Sequence, residues 1–378
     1  MNARIGAAAR RMAFCLTLAA VGALALASPA SADDGVSFKG KTITMLVGSA
    51  PGGSSDLSAR LFVPFFIKYL PGSPNVIVQN MPGGHNVIAM NYLSEKAKRD
   101  GTYIVAASGS EVDPLNYRVP QSHYDPTKFE MIGGINLGGS QMIVRNDALA
   151  RMSDKSQKPI VMGSIAGYPH LGMQTAAWGI KFLGWNMRWV TGYGNNNDLA
   201  LALERGEIDA TSLSDSTFTQ LPQLVNKAKY TLVSQTGTDG GKLPSALPDL
   251  KATPLLDKMM TGKIKDPTAL EAYEYWRDLS YVFKWFALPQ ETPKPVVEAW
   301  RAAFVKTVED PEFASKSENV TPGVTHYPVE DLIANVAEVA AVHPAALDYM
   351  TQLLREQGLN VEELKKEEKA SSKKDKDE

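Results

Sequence analysis

The sequence predicts an α/β fold built from two doubly wound units. Three short apolar strands separated by helices occupy the first part of the chain, at 42–47, 75–79 and 102–107. The second part repeats this alternation between residues 158 and 235. Strands that alternate with helices favour parallel sheets with helices packed on their faces. Because the pattern restarts, we expect two similar units rather than one long sheet.

The first strand leads into the most informative turn of the chain. Residues 42–47 are apolar and rich in β-branched side chains, as a buried strand requires. Pro51-Gly52-Gly53 ends this strand, and N-cap residue types follow at the start of a helix. A helix N-terminus offers unpaired N–H groups and a partial positive charge, which suit an anion; the alternative is an ordinary connection that binds nothing. The predicted ligand-binding residues of this turn are Ser49, Ala50, Gly52, Gly53, Ser54, Ser55 and Asp56.

The other elements of the first unit are less regular. A helix over 57–69 contains Pro64, which should kink or interrupt it. A second glycine turn at 81–84 leads to a helix around 86–97, and Ser108 directly follows the third strand. The stretch 127–145 alternates strands and glycines and would suit a crossover between the two units.

The second unit has small-residue turns at equivalent places. A strand over 158–162 ends in Gly163-Ser164, and a helix is predicted over 169–183. The next strand, 186–191, ends in Gly192-Tyr193-Gly194, and Asn195 begins a run of N-cap residues before a helix that ends near Gly206. Further strands are predicted at 208–213 and 230–235.

The last third is mainly helical. Residues 250–283 read as helices broken at Pro254 and Pro267, and 283–287 as a strand. Helices are expected over 293–308, 329–342 and 345–356, followed by a disordered charged tail at 360–378. The predicted domain boundaries are 36–133 plus 284–345 for domain I and 134–283 for domain II.

The N-terminus indicates secretion. Arg4, Arg10 and Arg11 precede an apolar run from Met12 to Ala27, and small residues follow up to Ala32. This pattern is typical of a signal peptide over residues 1–32 with cleavage after Ala32, which predicts a periplasmic protein. The single cysteine, Cys15, lies within this run, so the mature chain has no disulfide or thiol nucleophile.

Composition excludes several function classes. The chain has 39 Lys and Arg against 41 Asp and Glu, and loss of the three signal-peptide arginines leaves a net charge of about −5. This balance does not favour nucleic acid as a partner. The histidines lack metal-ligand spacing, no nucleotide fingerprint is present, and no Gly-x-Ser-x-Gly elbow occurs. We therefore expect no metal, no cofactor and no enzymatic activity.

The remaining signal is the set of small-residue turns at several strand ends. Ligands bind at the carboxyl ends of strands in open α/β sheets, so turns from two facing sheets would converge on one cleft. His170 could face this cleft or could cap and pack, whereas Tyr193 could wall a pocket and donate a hydrogen bond. The predicted site residues beyond the first turn are Ser108, Ser164, Ala166, Gly167, His170, Tyr193 and Asn195.

Over residues 42–342 the sequence resembles the Bug-type extracytoplasmic solute receptors of tripartite tricarboxylate transporters. Each motif is short, but their order and spacing match those of the family. The motifs are Ala50-Pro-Gly-Gly53 with Asp56-Leu-Ser-Ala-Arg60, Asn80-Met-Pro-Gly-Gly84, Asp100-Gly-Thr-Tyr103, Gly163-Ser164 with His170-Leu171, Gly206-Glu-Ile-Asp-Ala210, Leu247-Pro-Asp249, and Phe286-Ala-Leu-Pro289 with Thr292-Pro293.

The resemblance implies a periplasmic-binding-protein type II (Venus flytrap) fold with a hinge. It also implies a monomeric carrier that traps a small organic carboxylate and delivers it to integral-membrane transporter subunits. The carboxylate is then held between the first turn and a turn of the second domain. The sequence departs from the family pattern at 163–170, where the loop is shorter, and at 254–280, which resembles an insertion.

Two other functions remain open on the residues alone. A periplasmic sensory receptor would carry the same binding domain and pass ligand occupancy to a signalling partner. A periplasmic hydrolase that uses a cleft serine would need an activating base, which the sequence does not place near one.

Overall fold

The computed structural model describes residues 35–136, 139–165, 171–237, 248–320 and 325–359 of the 378-residue chain. Described residues from Phe38 onward belong to one compact unit, and those before it carry neither helix nor strand. The predictions for Ala166, Gly167, His170, residues 1–32 and the charged tail lie outside the described residues.

The first sheet has six strands in the order β11-β4-β10-β3-β1-β2. β1 pairs in parallel with both β2 and β3. These three strands are the ones predicted for the first part of the chain. β10 returns late in the sequence and runs antiparallel between β3 and β4. These strands are β1 Thr42–Val47, β2 Asn75–Asn80, β3 Tyr103–Ser108, β4 Glu130–Asn136, β10 Lys284–Leu288 and β11 Thr325–Tyr327.

The second sheet has five strands in the order β7-β6-β8-β5-β9. β6 pairs in parallel with β7 and β8, whereas β5 is antiparallel to β8 and β9. The chain passes from the first sheet to the second between Asn136 and Ser140, within the predicted crossover stretch. These strands are β5 Ser140–Arg145, β6 Ile160–Ile165, β7 Met187–Tyr193, β8 Ala210–Ser214 and β9 Tyr230–Gln235.

Helices cover both sheets, which confirms a fold of two α/β domains, although each sheet is mixed rather than purely parallel. The helices are α1 Ser54–Tyr69, α2 Val87–Glu95, α3 Pro114–Tyr117, α4 Asn146–Met152, α5 Thr175–Phe182, α6 Asn196–Arg205, α7 Asp215–Gln220, α8 Pro248–Lys251, α9 Leu256–Met260, α10 Pro267–Leu279, α11 Lys294–Val308, α12 Pro311–Val320, α13 Val329–Ala340 and α14 Pro344–Glu356. Among the described residues, no helix is long and apolar enough to cross a membrane.

An aromatic cluster fixes α1 against the first sheet. The ring of Phe62 lies 4.5 Å from that of Phe286 on β10 and 5.5 Å from that of Phe304 on α11, measured between centroids. Phe66 meets Trp300 edge to face at 5.2 Å. These rings are fully buried, and aromatic pairs of this geometry add to the free energy gained from burial. The cluster therefore holds α1 against the first sheet, with the N-terminus of the helix near the end of β1.

The C-terminal helices connect elements of both sheets. α13 packs against β4 of the first sheet, and α14 packs against α5 beside the second sheet. Trp178 on α5 stacks on Tyr349 of α14 and meets Tyr273 of α10 edge to face at 5.2 Å. Gln357 donates to the Ala177 carbonyl at 2.8 Å and accepts from Trp189 at 3.0 Å.

The structure differs from two local expectations, an interruption of the first helix at Pro64 and the end of a strand at residue 191. α1 continues through Pro64 as a single helix, so the proline does not interrupt it. The packing of the aromatic rings on both sides of Pro64 outweighs the loss of one helical hydrogen bond. β7 extends two residues beyond the predicted end, through Gly192 at φ +103°, so Tyr193 is the last strand residue and not part of the turn.

Candidate functional site

The first turn lies at the carboxyl end of β1, between two parallel neighbours. Gly52 has φ +80°, a left-handed conformation that favours glycine, and its N–H donates to Asp56 Oδ2 at 2.8 Å. The Gly53 N–H donates to the Ala50 carbonyl at 3.1 Å. These two N–H groups therefore close the turn on itself. Ala50, Gly52 and Ser54 are exposed, whereas Ser55 and Asp56 are buried.

The buried carboxylate of Asp56 holds this turn in shape. Its Oδ2 accepts from Gly52 N–H and Arg60 Nε, and its Oδ1 accepts from Asn80 Nδ2 at 3.0 Å and from Arg60 Nη2 at 2.9 Å. Asn80 also donates to the Ser49 carbonyl at 2.9 Å. Burial alone would raise the pKa of Asp56, but the hydrogen bonds from Arg60, Gly52 and Asn80 outweigh it and lower that pKa. Asp56 therefore stays ionised and joins the first turn to the end of β2.

The N-terminus of α1 has no side-chain cap. Its N-cap is Gly53, and the sequence expectation that Ser54, Ser55 or Asp56 caps the helix was wrong. Asp56 points backward to Gly52, and Ser55 serves as an acceptor for Lys284. The first N–H groups of any α-helix lack intrahelical acceptors, so those at Ser54 and Ser55 remain available to an anion.

A second polar network supports the turn from the neighbouring strand ends. The Glu111 carboxylate accepts from the N–H and hydroxyl of Ser108, at 2.9 and 2.7 Å, and from Asn86 Nδ2 at 2.9 Å. Burial raises the pKa of Glu111, while these contacts with Ser108 and the charge of Lys284 oppose the rise. A Cβ atom on Gly48 would lie 2.5 Å from Asn86 Cβ, so only glycine fits between this network and β1.

Lys284 links the two networks. It is the first residue of β10 and pairs with Ser108 in the antiparallel ladder. Its side chain is buried, and Nζ donates to Ser55 Oγ at 3.0 Å. Burial lowers the pKa of Lys284 to about 8, and Glu111 partly opposes this shift. A positive charge therefore lies directly beneath the start of α1.

The predicted residues of the second sheet occupy neighbouring strand ends. Ile165 at the end of β6 pairs with Tyr193 at the end of β7. Tyr193 is half-buried, and burial raises its pKa. The Ser164 hydroxyl is buried and donates to the Ile165 carbonyl at 3.2 Å, so it faces the protein interior. Asn195 caps α6 by accepting from the N–H groups of Asn197 and Asp198.

The structure thus brings the first-turn residues together with Ser108, and places Ser164, Tyr193 and Asn195 at a separate sheet. Within the ranges that the structure describes, no hydrogen bond or ion pair joins these two groups. Whether the two groups share one ligand stays a prediction.

Sequence reasoning missed three supporting residues that left readable signals. Lys284 is the one charge within the apolar strand 283–287. Glu111 stands three residues after Ser108, the spacing of a capping box, and the structure contains this box. Asn86 adopts φ +77°, which asparagine tolerates better than most residues. Each of these residues contacts a turn rather than lying in it, so the turn sequences themselves carry no sign of them.

Other concave surfaces lie away from this site. A cavity of about 540 Å³ is lined by Arg145 and Tyr230, where β5 ends and β9 begins. Another, of about 690 Å³, is lined by Glu130 and Glu291. Both are at the amino ends of the parallel strands, opposite the edge where open α/β sheets bind ligands. In the part of the chain that the structure describes, no group of three or more His, Asp or Glu residues could hold a metal ion.

Comparison with known proteins identifies the fold. No protein-family model and no curated sequence matches the chain. A TctC solute-binding protein from Polaromonas superposes with a TM-score of 0.60 at 18% identity, over 82% of this chain and 98% of that one. MatC from Rhodopseudomonas palustris with bound malate gives 0.54 at 16% identity, over 81% and 98%. A second R. palustris protein, with adipate, gives 0.57 at 17% identity, over 84% and 97%. The chain therefore has the fold of TctC-type solute-binding proteins, as the sequence resemblance predicted.

Proposed function

We propose that this protein is a periplasmic solute-binding protein that captures a small organic carboxylate. The observation that carries the proposal is the uncapped N-terminus of α1, held in a fixed turn by Asp56 at the carboxyl end of β1. Such a turn supplies oriented N–H donors and a favourable dipole for an anion. The fold is that of proteins that bind malate and adipate, both of which are dicarboxylates.

In this proposal the ligand carboxylate binds the N–H groups of Ser54 and Ser55. The Ser49 hydroxyl is a further candidate donor, because its oxygen is buried without a hydrogen-bond partner among the described residues. Buried polar groups normally have partners, so a bound anion would satisfy this one. The predicted turn at Ser164–His170, with Tyr193 and Asn195, would contact the ligand from the other domain and select among carboxylates.

Closure of the two domains would complete the site. With the predicted boundaries, domain I (36–133 plus 284–345) carries the first turn and domain II (134–283) carries the second. Only the closed form makes both sets of contacts, so ligand shifts the equilibrium towards closure. The closed form would then deliver the ligand to integral-membrane transporter subunits. We propose that the chain acts as a monomer and without catalysis.

Thermal-shift screening of the mature protein, beginning after Ala32, tests the function. Mono-, di- and aromatic carboxylates are compared with the corresponding amides as neutral controls. A ligand at 100 times its Kd stabilises the folded state by about 2.7 kcal/mol, which raises Tm measurably. We expect at least one carboxylate to raise Tm and its amide to leave Tm unchanged. A panel in which no carboxylate shifts Tm would contradict the proposed function.

Secretion is tested separately. We expect the protein in the periplasmic fraction with an N-terminus at Asp33, as determined by N-terminal sequencing of the recovered chain. Recovery from the cytoplasm with residues 1–32 intact would contradict the localisation without bearing on ligand binding.

A further inference from the structure

The ammonium group of Lys284 is buried with few partners. Lys284 is 7% exposed, and Ser55 Oγ, at 3.0 Å, is the hydrogen-bond acceptor that the described residues offer it. The ring of Phe283 also lies 4.6 Å from Nζ, measured to its centroid, but it supplies no counter-charge. An ammonium has three donors, and no carboxylate in the described ranges lies within ion-pair distance of this one. A buried charge is costly unless it is paired, so this arrangement suits a charge that a ligand will complete.

The contact with Lys284 also orients the Ser55 hydroxyl. Ser55 Oγ accepts from Lys284, so its own O–H must donate in another direction. No described residue accepts from this hydroxyl, and Ser55 is the second residue of α1. Its O–H is therefore available beside the helix N–H groups that would hold the carboxylate.

We propose that Lys284 is a positioning residue that makes the first turn specific for an ionised carboxylate. Its ammonium holds Ser55 as a donor and adds a positive charge beneath the ligand, so a neutral amide or ester of the same shape binds poorly. This inference rests on the proposed function and assigns to Lys284 the preference for a charged over a neutral ligand.

The charged groups near Lys284 support this arrangement. From α1, Asp56 is adjacent to Ser55, but Arg60, Gly52 and Asn80 already occupy its carboxylate. From the end of β3, Glu111 opposes the lowering of the Lys284 pKa, while its oxygens accept from Ser108 and Asn86. From β4, the paired residue is apolar Ile135. Since no carboxylate among the described residues forms an ion pair with Lys284, a bound carboxylate would be its direct counter-ion.

The experiment compares adipate and adipamide binding by calorimetry in wild-type protein, K284M, S55A and the double variant. Methionine keeps most of the length of the lysine side chain, one atom shorter, without its charge. A charge-assisted hydrogen bond is worth about 10- to 100-fold in affinity, so K284M should weaken adipate binding by that factor. S55A should lose a similar factor, and the double variant should lose little more, because the two residues act through one contact. K294M, at an exposed lysine of α11, serves as the control and should bind adipate normally.

The pH profile separates this role from a purely structural one. With a Lys284 pKa of about 8, the protonated fraction falls about tenfold between pH 7 and pH 9. Adipate affinity of the wild type should therefore fall about five- to ninefold, because the neutral form still binds 10 to 100 times more weakly, whereas K284M should show a flat profile. Melting of unliganded K284M checks that the variant folds.

The outcomes distinguish the two proposals. If wild type binds adipate and K284M binds it equally well, or both show the same pH profile, the role of Lys284 is refuted and the solute-binding function stands. If K284M is unfolded, S55A must show at least a tenfold loss of adipate affinity and the wild type must lose affinity between pH 7 and pH 9, or the inference fails. If wild type binds neither adipate nor any carboxylate of the thermal-shift panel, the proposed function fails, and the inference fails with it.

Discussion

Replacement of Asp56 by asparagine tests whether the first turn is a fixed structure or a flexible connection. Asp56 is buried, with a side chain only 2% exposed, and each of its oxygens accepts one bond from Arg60 and one from the turn or from Asn80. Asparagine has one oxygen, so its NH₂ group must face either the Gly52 N–H or the Asn80 amide. Two donors, one of them from Arg60, therefore lose their acceptor, and the negative charge is lost as well.

The expected cost of D56N follows from these contacts. A hydrogen bond to a charged group contributes about 1.5–3 kcal/mol, while Gly52 and Arg60 are exposed enough to regain bonds with water. We therefore expect D56N to lower the free energy of unfolding by about 2 kcal/mol. Asp147 provides a matched control, because it also pairs with an arginine, Arg145, but its side chain is 65% exposed. D147N should cost less than about 1 kcal/mol.

Urea denaturation at several pH values measures both variants. The folded-state pKa of Asp56 is lowered, so its stabilisation is fully present above the unfolded pKa of about 3.9 and is lost as pH falls through the folded value. The difference between wild type and D56N should be constant from pH 7 to about 5 and should narrow below about pH 4. A D56N protein as stable as D147N, or a difference unchanged at pH 3, would refute the structural role of Asp56.

Two further predictions concern backbone space and buried charge. In urea denaturation, G48A should lower the free energy of unfolding by about 2 kcal/mol, because its Cβ would lie 2.5 Å from Asn86 Cβ. A Cβ on residue 52 has open space, so G52A should cost only about 1 kcal/mol, for its positive φ. Equal costs for the two variants would contradict this reasoning. Burial raises the folded-state pKa of Asp113 to about 6, above the unfolded value of about 3.9. The stabilisation from the protonated side chain is therefore fully present below about pH 4 and is lost as pH rises through 6, because the buried carboxyl must then ionise. D113N should therefore gain about 2 kcal/mol relative to wild type between pH 4 and pH 7, and a difference independent of pH would show that Asp113 is not protonated in the folded protein.

Much of the fold could be predicted because β1, β3 and β7 are each followed directly by glycine and a small polar residue, which marks the end of the strand. The antiparallel strand β10 was recognised as a strand, but its place between β3 and β4 depends on contacts across about 150 to 180 residues of chain, which local patterns do not contain. The helix through Pro64 could not be predicted either, because aromatic rings from α11 and β10 stabilise it.

The candidate site was predicted in part. The turn Ser49–Asp56 is visible in sequence because its glycines and small polar residues are local signals. The roles within the turn were not visible in the sequence. Asp56 accepts hydrogen bonds from Arg60 of α1 and from Asn80 of β2. Ser55 accepts one from Lys284 of β10, which is distant in sequence. The contribution of Ser164–His170 stays a prediction, because most of that loop lies outside the described residues.

Calorimetric titration of adipate into wild type and G53L tests the central claim most directly. Even a Cβ at Gly53 would lie 3.1 Å from the Ala50 carbonyl oxygen and 3.2 Å from Ser49 Oγ, so a leucine side chain must displace the turn or fill the space above α1. Gly53 has φ −70°, so the substitution brings no left-handed strain and the protein should still fold. We predict saturable binding by wild type and none by folded G53L. Equal binding by both proteins would contradict a carboxylate site at the first turn.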